Sequence, residues 1–212
     1  DALDLTEETT STLKERPRQT TLVISALPTL TSTWIMPSLH AFIERHRNIE
    51  VRIIASIEPV DFANESVDVA IRVGQLPARP YSAQLPRIDL KMVESWNGVR
   101  ADELFPDILV PVWSPQLTKR SRIREAKDLL RYPLIHTSTR RFAWPDWLQA
   151  HGVSDILGKR KKYEFSHFFM SLEAAVRGQG VAIIPRIILS LYKDAKRLTF
   201  PRKSKIPSGG AY

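Results

Sequence analysis

Between Thr21 and Ala55 the chain passes from a β-branched apolar run, through a segment of helical spacing, into a second apolar run. That order narrows the possible folds more than any other feature. Thr21-Leu22-Val23-Ile24-Ser25-Ala26, bounded by Pro28, reads as a buried strand. Ile35, Leu39, Phe42 and Ile43 recur at i, i+4, i+7 and i+8, the spacing of one buried helix face. Pro37 inside this pattern requires that the helix begin within the four residues before it, or kink there. Residues 49–55 alternate at first and then become continuously apolar, which makes them the next strand. A strand, a helix and a strand within about 35 residues form a βαβ unit, with parallel pairing and a right-handed crossover.

A third strand is expected over 67–73, stopped by Gly74. Residues 75–107 are broken by Pro77, Pro80 and Pro86, and only 88–93 looks strand-like there. A further strand at 108–112 is followed by a second series. It comprises a short helix at 126–130, a strand at 132–136, a helix at 144–151, a strand at 163–165, a helix face through Phe169, Leu172, Ala175 and Val176, and a strand at 181–184. Two successive α/β series without a long linker imply two lobes of one unit. With 43% apolar residues among 212, the chain can fill one large core or two smaller ones. Gly178-Gln-Gly180 follows a helix and precedes a strand, the reverse of a dinucleotide-binding order, and reads as a C-cap and turn.

Several function classes find no support. Without cysteine there is no disulfide, thiolate nucleophile or Cys-based metal site, which fits a cytoplasmic protein. No apolar run is long enough to span a membrane, and residues 1–12 lack the features of a signal peptide. No Gly-x-Ser-x-Gly occurs, and the histidines at 40, 46, 136, 151 and 167 are scattered, so neither catalysis nor a metal or other cofactor is indicated. The net charge of +8 is concentrated at 159–162 and 202–205, as solvated loops or phosphate contacts, with no recognisable DNA-reading motif.

Candidate binding residues cluster where strand ends meet helix starts, because free amides and the helix dipole converge there. Thr29, Thr31, Ser32 and Thr33 follow the first strand; they either cap a helix or hold a carboxylate or other anionic group. Ser56, after the second strand, is a weaker candidate of the same kind. In the second series, His136-Thr137-Ser138-Thr139 and Phe165-Ser166-His167-Phe168 occupy equivalent places. His136 and His167 also suit hydrogen-bonded structural roles, and Ser166 suits a cap as well as a site. Trp144 and Trp147 suit a core better than a ligand platform.

The ordered stretches Leu22-Val-Ile-Ser-Ala-Leu-Pro-Thr29, Trp34-Ile-Met-Pro37, Val67-Asp-Val-Ala-Ile-Arg-Val-Gly74, Val110-Pro-Val-Trp-Ser-Pro115 and Leu172-Glu-Ala-Ala-Val-Arg-Gly178 to Pro185 resemble the effector-binding domain of LysR-type transcriptional regulators. The likeness is greatest to the group containing glycine-cleavage activators and β-lactamase regulators. The resemblance implies an α/β, two-lobed type 2 periplasmic-binding-protein-like fold, each lobe a mixed sheet flanked by helices. Residues 1–19 would be the end of a linker helix. Lobe one would span 20–112 with a truncated return strand from about 209, and lobe two 113–208. The implied function is sensing a small-molecule effector, an anionic metabolite among the candidates, between the lobes, at Thr29, Thr31, Ser32, Ser56, Thr137, Ser138, Ser166 and His167. The family also implies a homodimer or homotetramer, contact with DNA only through a helix-turn-helix not present in this chain, and no membrane. A solute-binding protein of a transporter would share the fold and is the alternative.

Overall fold

The computed structural model describes residues 20–77, 79–82, 84–119, 122–153, 161–201 and 206–212. The expected linker helix at 1–19, the basic run at 202–205 and the side chains of 159–162 lie outside the described residues and side chains. Two sheets form, of three and five strands.

In the smaller sheet β1 (Thr20–Ala26) lies between β2 (Ile49–Ala55) and β3 (Val69–Ile71), parallel to both. The crossover is α1, a continuous helical run made of an α-turn at Pro28–Leu30, a π-segment at Thr31–Ile35 and a regular helix at Met36–Arg45. It therefore starts well ahead of Pro37 and does not break there. The Met36 amide reaches back to the Thr31 carbonyl, so the helix is widened next to a residue that has no amide to donate. The hydroxyls of the first turns do not cap. Thr31 and Ser32 donate to the carbonyls of Leu27 and Thr29, and Thr33 donates to Thr29 as well. The expected buried face of this helix is only partly covered: Ile43 is 41% exposed, and no residue of Met36–Arg45 is fully buried.

The third strand is shorter than its alternation suggests. Asp68 accepts the Val23 amide at 2.7 Å, standing in for a backbone partner and delaying the ladder to Val69. Arg72 then turns inward to Ser25 Oγ (2.7 Å) and the Glu58 carbonyl, which ends it. Of the 88–93 stretch, only Val93 pairs, in a bridge to Val60. Polar anchors hold the rest of this stretch. Arg87 grips Asp146 with its backbone amide and guanidinium at 2.8–2.9 Å, and Arg141 pairs with Asp89 at 2.8 Å.

The five-stranded sheet has the order β6-β5-β7-β4-β8: β4 is Pro106–Val112, β5 Leu134–Thr137, β6 Lys161–Phe165, β7 Val181–Pro185 and β8 Ile206–Ala211. β5 runs parallel to β6 and β7, while β4 is antiparallel to β7 and β8, so this sheet is mixed and the smaller one is parallel. Helices α2 (Ala143–Ala150), α3 (Phe168–Val176) and α4 (Arg186–Leu191) flank it, and the 126–130 segment is a 3-10 turn, Ala126–Arg131. Gly178 ends α3 with φ 72, the left-handed conformation that favours glycine. Trp144 and Trp147 are each 1% exposed and belong to the core, where the Trp144 indole donates to the Ile135 carbonyl at 2.8 Å.

Strands β4 and β8 carry the chain between the sheets. Pro106 pairs with Ala211, and Ala211 also bridges Gly74 just past β3. One apolar cluster runs through this junction, joining Leu30 and Val73 to Val110, Ile135, Phe168, Leu172 and Tyr212. The two lobes are thus closed against each other.

Candidate functional site

At that closure lies a small cavity walled from both sides. Leu27, Thr29, Leu30, Ile57, Val73 and Leu90 face it from the first lobe, and Thr139, Arg140, His167, Phe168 and Ile188 from the second; Tyr212 lines it at the return crossing. Its interior is about 30 Å³, room for roughly two waters. A metabolite needs several hundred Å³, on the order of 300 or more, so the cavity at its present size does not hold one.

Thr29 is the direct bridge. Pro28 starts the helix immediately after β1, which sets Thr29, 5% exposed, in the first turn facing α3. Its Oγ1 accepts the Phe169 amide at 3.3 Å. That amide lies in the first turn of α3, where backbone donors have no intrahelical acceptor. His167 precedes the same turn with extended backbone angles, lines the cavity, and stacks on Phe169 with ring centroids 5.7 Å apart.

The other residues expected from the sequence fall at differing distances from this point. Thr31 and Ser32 have their hydroxyl protons engaged by their own helix. Ser56 accepts the Glu58 amide at 3.0 Å in a turn beyond β2. Thr137 is buried behind the cavity wall, 2.8 Å from Ser171 Oγ, and ties the end of β5 to α3. Ser138 is exposed. Ser166 is exposed, its hydroxyl directed to the Met170 sulfur at 3.5 Å, while its carbonyl accepts from Thr139, which lines the cavity. Of the side chains proposed from sequence to hold a ligand, the cavity wall therefore brings together Thr29 and His167, with Thr139 and Phe168 of the same candidate stretches beside them.

Residues not singled out in the sequence complete the wall. Arg140, in the 3-10 turn Ser138–Arg140 after β5, is 2% exposed and pairs with Asp107 of β4 at 2.5 Å. Ser208 of β8 donates to the same Asp107 oxygen, so one carboxylate ties both crossing strands to the turn. Burial by itself would lower the Arg140 pKa, but the facing Asp107 charge reverses this and raises it, so the guanidinium stays charged. Burial, reinforced by Asp107, holds the Tyr212 phenol well above its ordinary value, so it is a neutral hydroxyl. An arginine three residues past a strand, at the end where ligands gather, was the available signal for Arg140; Asp107 and Tyr212 had none.

Among the described residues no group of three His, Asp or Glu side chains is placed to hold a metal ion, and no helix is long and apolar enough to cross a membrane. Comparison with known proteins gives one consistent picture. The glycine cleavage system transcriptional activator of Escherichia coli K12 is 30% identical over 206 residues, covering 97% of this chain and 61% of that protein. The transcriptional activator AmpR of Pseudomonas aeruginosa is 28% identical over 188 residues, 89% of this chain and 56% of its own length. The chain thus spans somewhat over half the length of the curated relatives it matches, and these relatives are transcriptional regulators. Among solved structures, the effector domain of P. aeruginosa AmpR superposes with a TM-score of 0.67 at 27% identity, over 92% of this chain and 83% of that one. The AmpR effector-binding domain of Citrobacter freundii gives 0.69 at 26%, over 92% and 86%. With two lobes closed on a shared cavity, likeness to effector domains over nearly its whole length, and a family model for the LysR substrate binding domain matching residues 15–207, the chain belongs to that family.

Proposed function

We propose that this chain is the ligand-sensing part of a LysR-type transcriptional regulator, that it binds a small metabolite between its lobes, and that it does no chemistry on it. The observation that carries this reading is the hydrogen bond from the Phe169 amide to Thr29, at a cavity too small for a metabolite while it persists. A ligand that enters must replace contacts of the closed form with contacts of its own. Binding and lobe arrangement then share one equilibrium, and the ligand shifts it by its differential affinity for the two arrangements. Strands β4 and β8, the two crossings, are where such a motion bends the chain. Coupled to a homodimer or homotetramer in the cytoplasm, the change would reposition DNA-reading modules that lie outside these residues.

Thermal unfolding of the 212-residue chain against a panel of amino acids and small organic acids tests this. A ligand at one hundred times its Kd raises stability by about 2.7 kcal/mol. The expected result is a hit whose stabilisation shrinks in Thr29→Val and His167→Ala, and is unchanged in Gln116→Ala on a remote surface. Equal stabilisation in all three variants contradicts the placement.

A further inference from the structure

The cavity wall contains one charged group whose hydrogen-bonding capacity is not met inside the protein. Arg140 carries five N–H donors. One nitrogen, Nη2, reaches Asp107, while Nε and Nη1 are buried with no hydrogen-bond partner among the described residues. A guanidinium so buried that leaves donors unmatched is costly, and native proteins retain such groups where something else completes them. Asp107 approaches from β4, outside the cavity wall, and among the described residues no carboxylate lines the cavity. A molecule that enters as the lobes part therefore meets a guanidinium with unmatched donors in the wall and, elsewhere, mostly apolar side chains such as Leu27, Leu30, Phe168 and Ile188.

We infer that the effector is a small monocarboxylate with an apolar body, and that Arg140 anchors its carboxylate. This deepens the inter-lobe reading above and rests on it. Because Asp107 already balances the guanidinium, a monoanion adds one unmatched negative charge and a phosphate dianion two, so the singly charged group is the less costly guest. Thr29 adds a hydroxyl that accepts from Phe169 and can donate its own proton toward the ligand. The same arginine holds Asp107, to which Ser208 also binds, so an anion drawing on Arg140 acts on the tie between both crossing strands.

The test is titration calorimetry on the 212-residue chain with 3-methylbutanoate and phenylacetate, each beside its amide. The parent is expected to bind a carboxylate at least tenfold more tightly than the matching amide. Because Arg140→Gln alone strands the Asp107 charge, the decisive variant is the double change Asp107→Asn/Arg140→Gln, checked for fold by circular dichroism. In it the carboxylate-over-amide ratio should fall to near one, with amide binding kept, a result that a purely structural arginine would not produce. Discrimination that survives in the double variant, or equal binding of acid and amide by the parent with amide-resonance changes at Thr29 and Phe168, overturns the arginine anchor and leaves inter-lobe sensing intact. Failure of both acids to bind overturns the ligand class. Binding with changes confined to a remote surface overturns both readings.

Discussion

Thr29 Oγ1 lies 3.3 Å from the Phe169 nitrogen, so the turn that follows the three-stranded sheet accepts a hydrogen bond from the first turn of a helix packed on the other sheet. The contact joins residues 140 apart in sequence and closes the cavity between them. Thr29→Val keeps the shape and removes the acceptor. A net hydrogen bond contributes about 1 kcal/mol. Since 1 kcal/mol moves the Tm of a chain this size by about 2–4 °C, a fall of that size is expected. Hydrogen exchange at the Phe169 amide should accelerate in parallel. Unchanged exchange there would show that the lobes are held by other contacts.

The buried Arg140–Asp107 pair should behave asymmetrically. Removing one partner leaves a charge in an apolar interior, so Arg140→Ala is expected to cost about 3–5 kcal/mol in urea unfolding. The neutral double variant Asp107→Asn/Arg140→Gln should recover most of that loss, because each remaining amide can hydrogen bond to the other. A double variant as unstable as the single one would mean that the charges themselves hold the crossing strands.

Gly210 is required by close approach. A Cβ there would stand 2.5 Å from the Gly74 carbonyl oxygen and 2.6 Å from Ile88 Cδ1, and the carbonyl is fixed by its bond from the Ala211 amide at 2.9 Å. Gly210→Ala should therefore cost about 1–3 kcal/mol and expose the Gly74 amide to exchange. Gly152, with φ 70 and open space around it, gives the contrast. Alanine there brings only left-handed strain of about 1–2 kcal/mol, with no change at Gly74.

Stability should decline at both ends of the pH scale for identifiable reasons. Asp128 accepts the Arg124 and Glu125 amides at 2.9 and 3.2 Å and faces Arg131, which holds its carboxyl below the ordinary range. A depressed folded pKa means stability present above the unfolded value near 3.9 and lost as pH falls through the folded one. Asp128→Asn should flatten that acid limb in thermal melts. Burial, then the Glu173 charge, pushes the Tyr192 phenol up to about 12. With the unfolded value near 10, its contribution is present below that pH and is lost as pH climbs toward the folded value. Tyr192→Phe should reduce the alkaline slope.

Much of the scaffold was legible because its signals are local. The runs that became β1, β2, β5 and β7 are short, apolar and β-branched, and α2 and α3 show helical spacing between breakers. What escaped was decided by contacts remote in sequence. The start of β3 depends on Asp68 gripping Val23, and the course of residues 86–89 depends on Asp146 and Arg141. In the site, Thr29 and His167 stood out as polar side chains beside strand ends. Arg140 acquires its place in the wall only because β4 and β8 bring Asp107 and Ser208 against it. Tyr212 enters the wall only through the return crossing.

A sensor of this design requires that one small molecule touch both lobes at once. Amide chemical shifts of the labelled chain, recorded while titrating a metabolite that raises its Tm, measure this directly. The expected result is a single set of perturbed resonances that includes Leu27 and Thr29 from one lobe and Thr139, His167 and Phe168 from the other, saturating at one equivalent. Perturbations limited to one lobe, or to surfaces remote from Thr29 and Phe169, would contradict it.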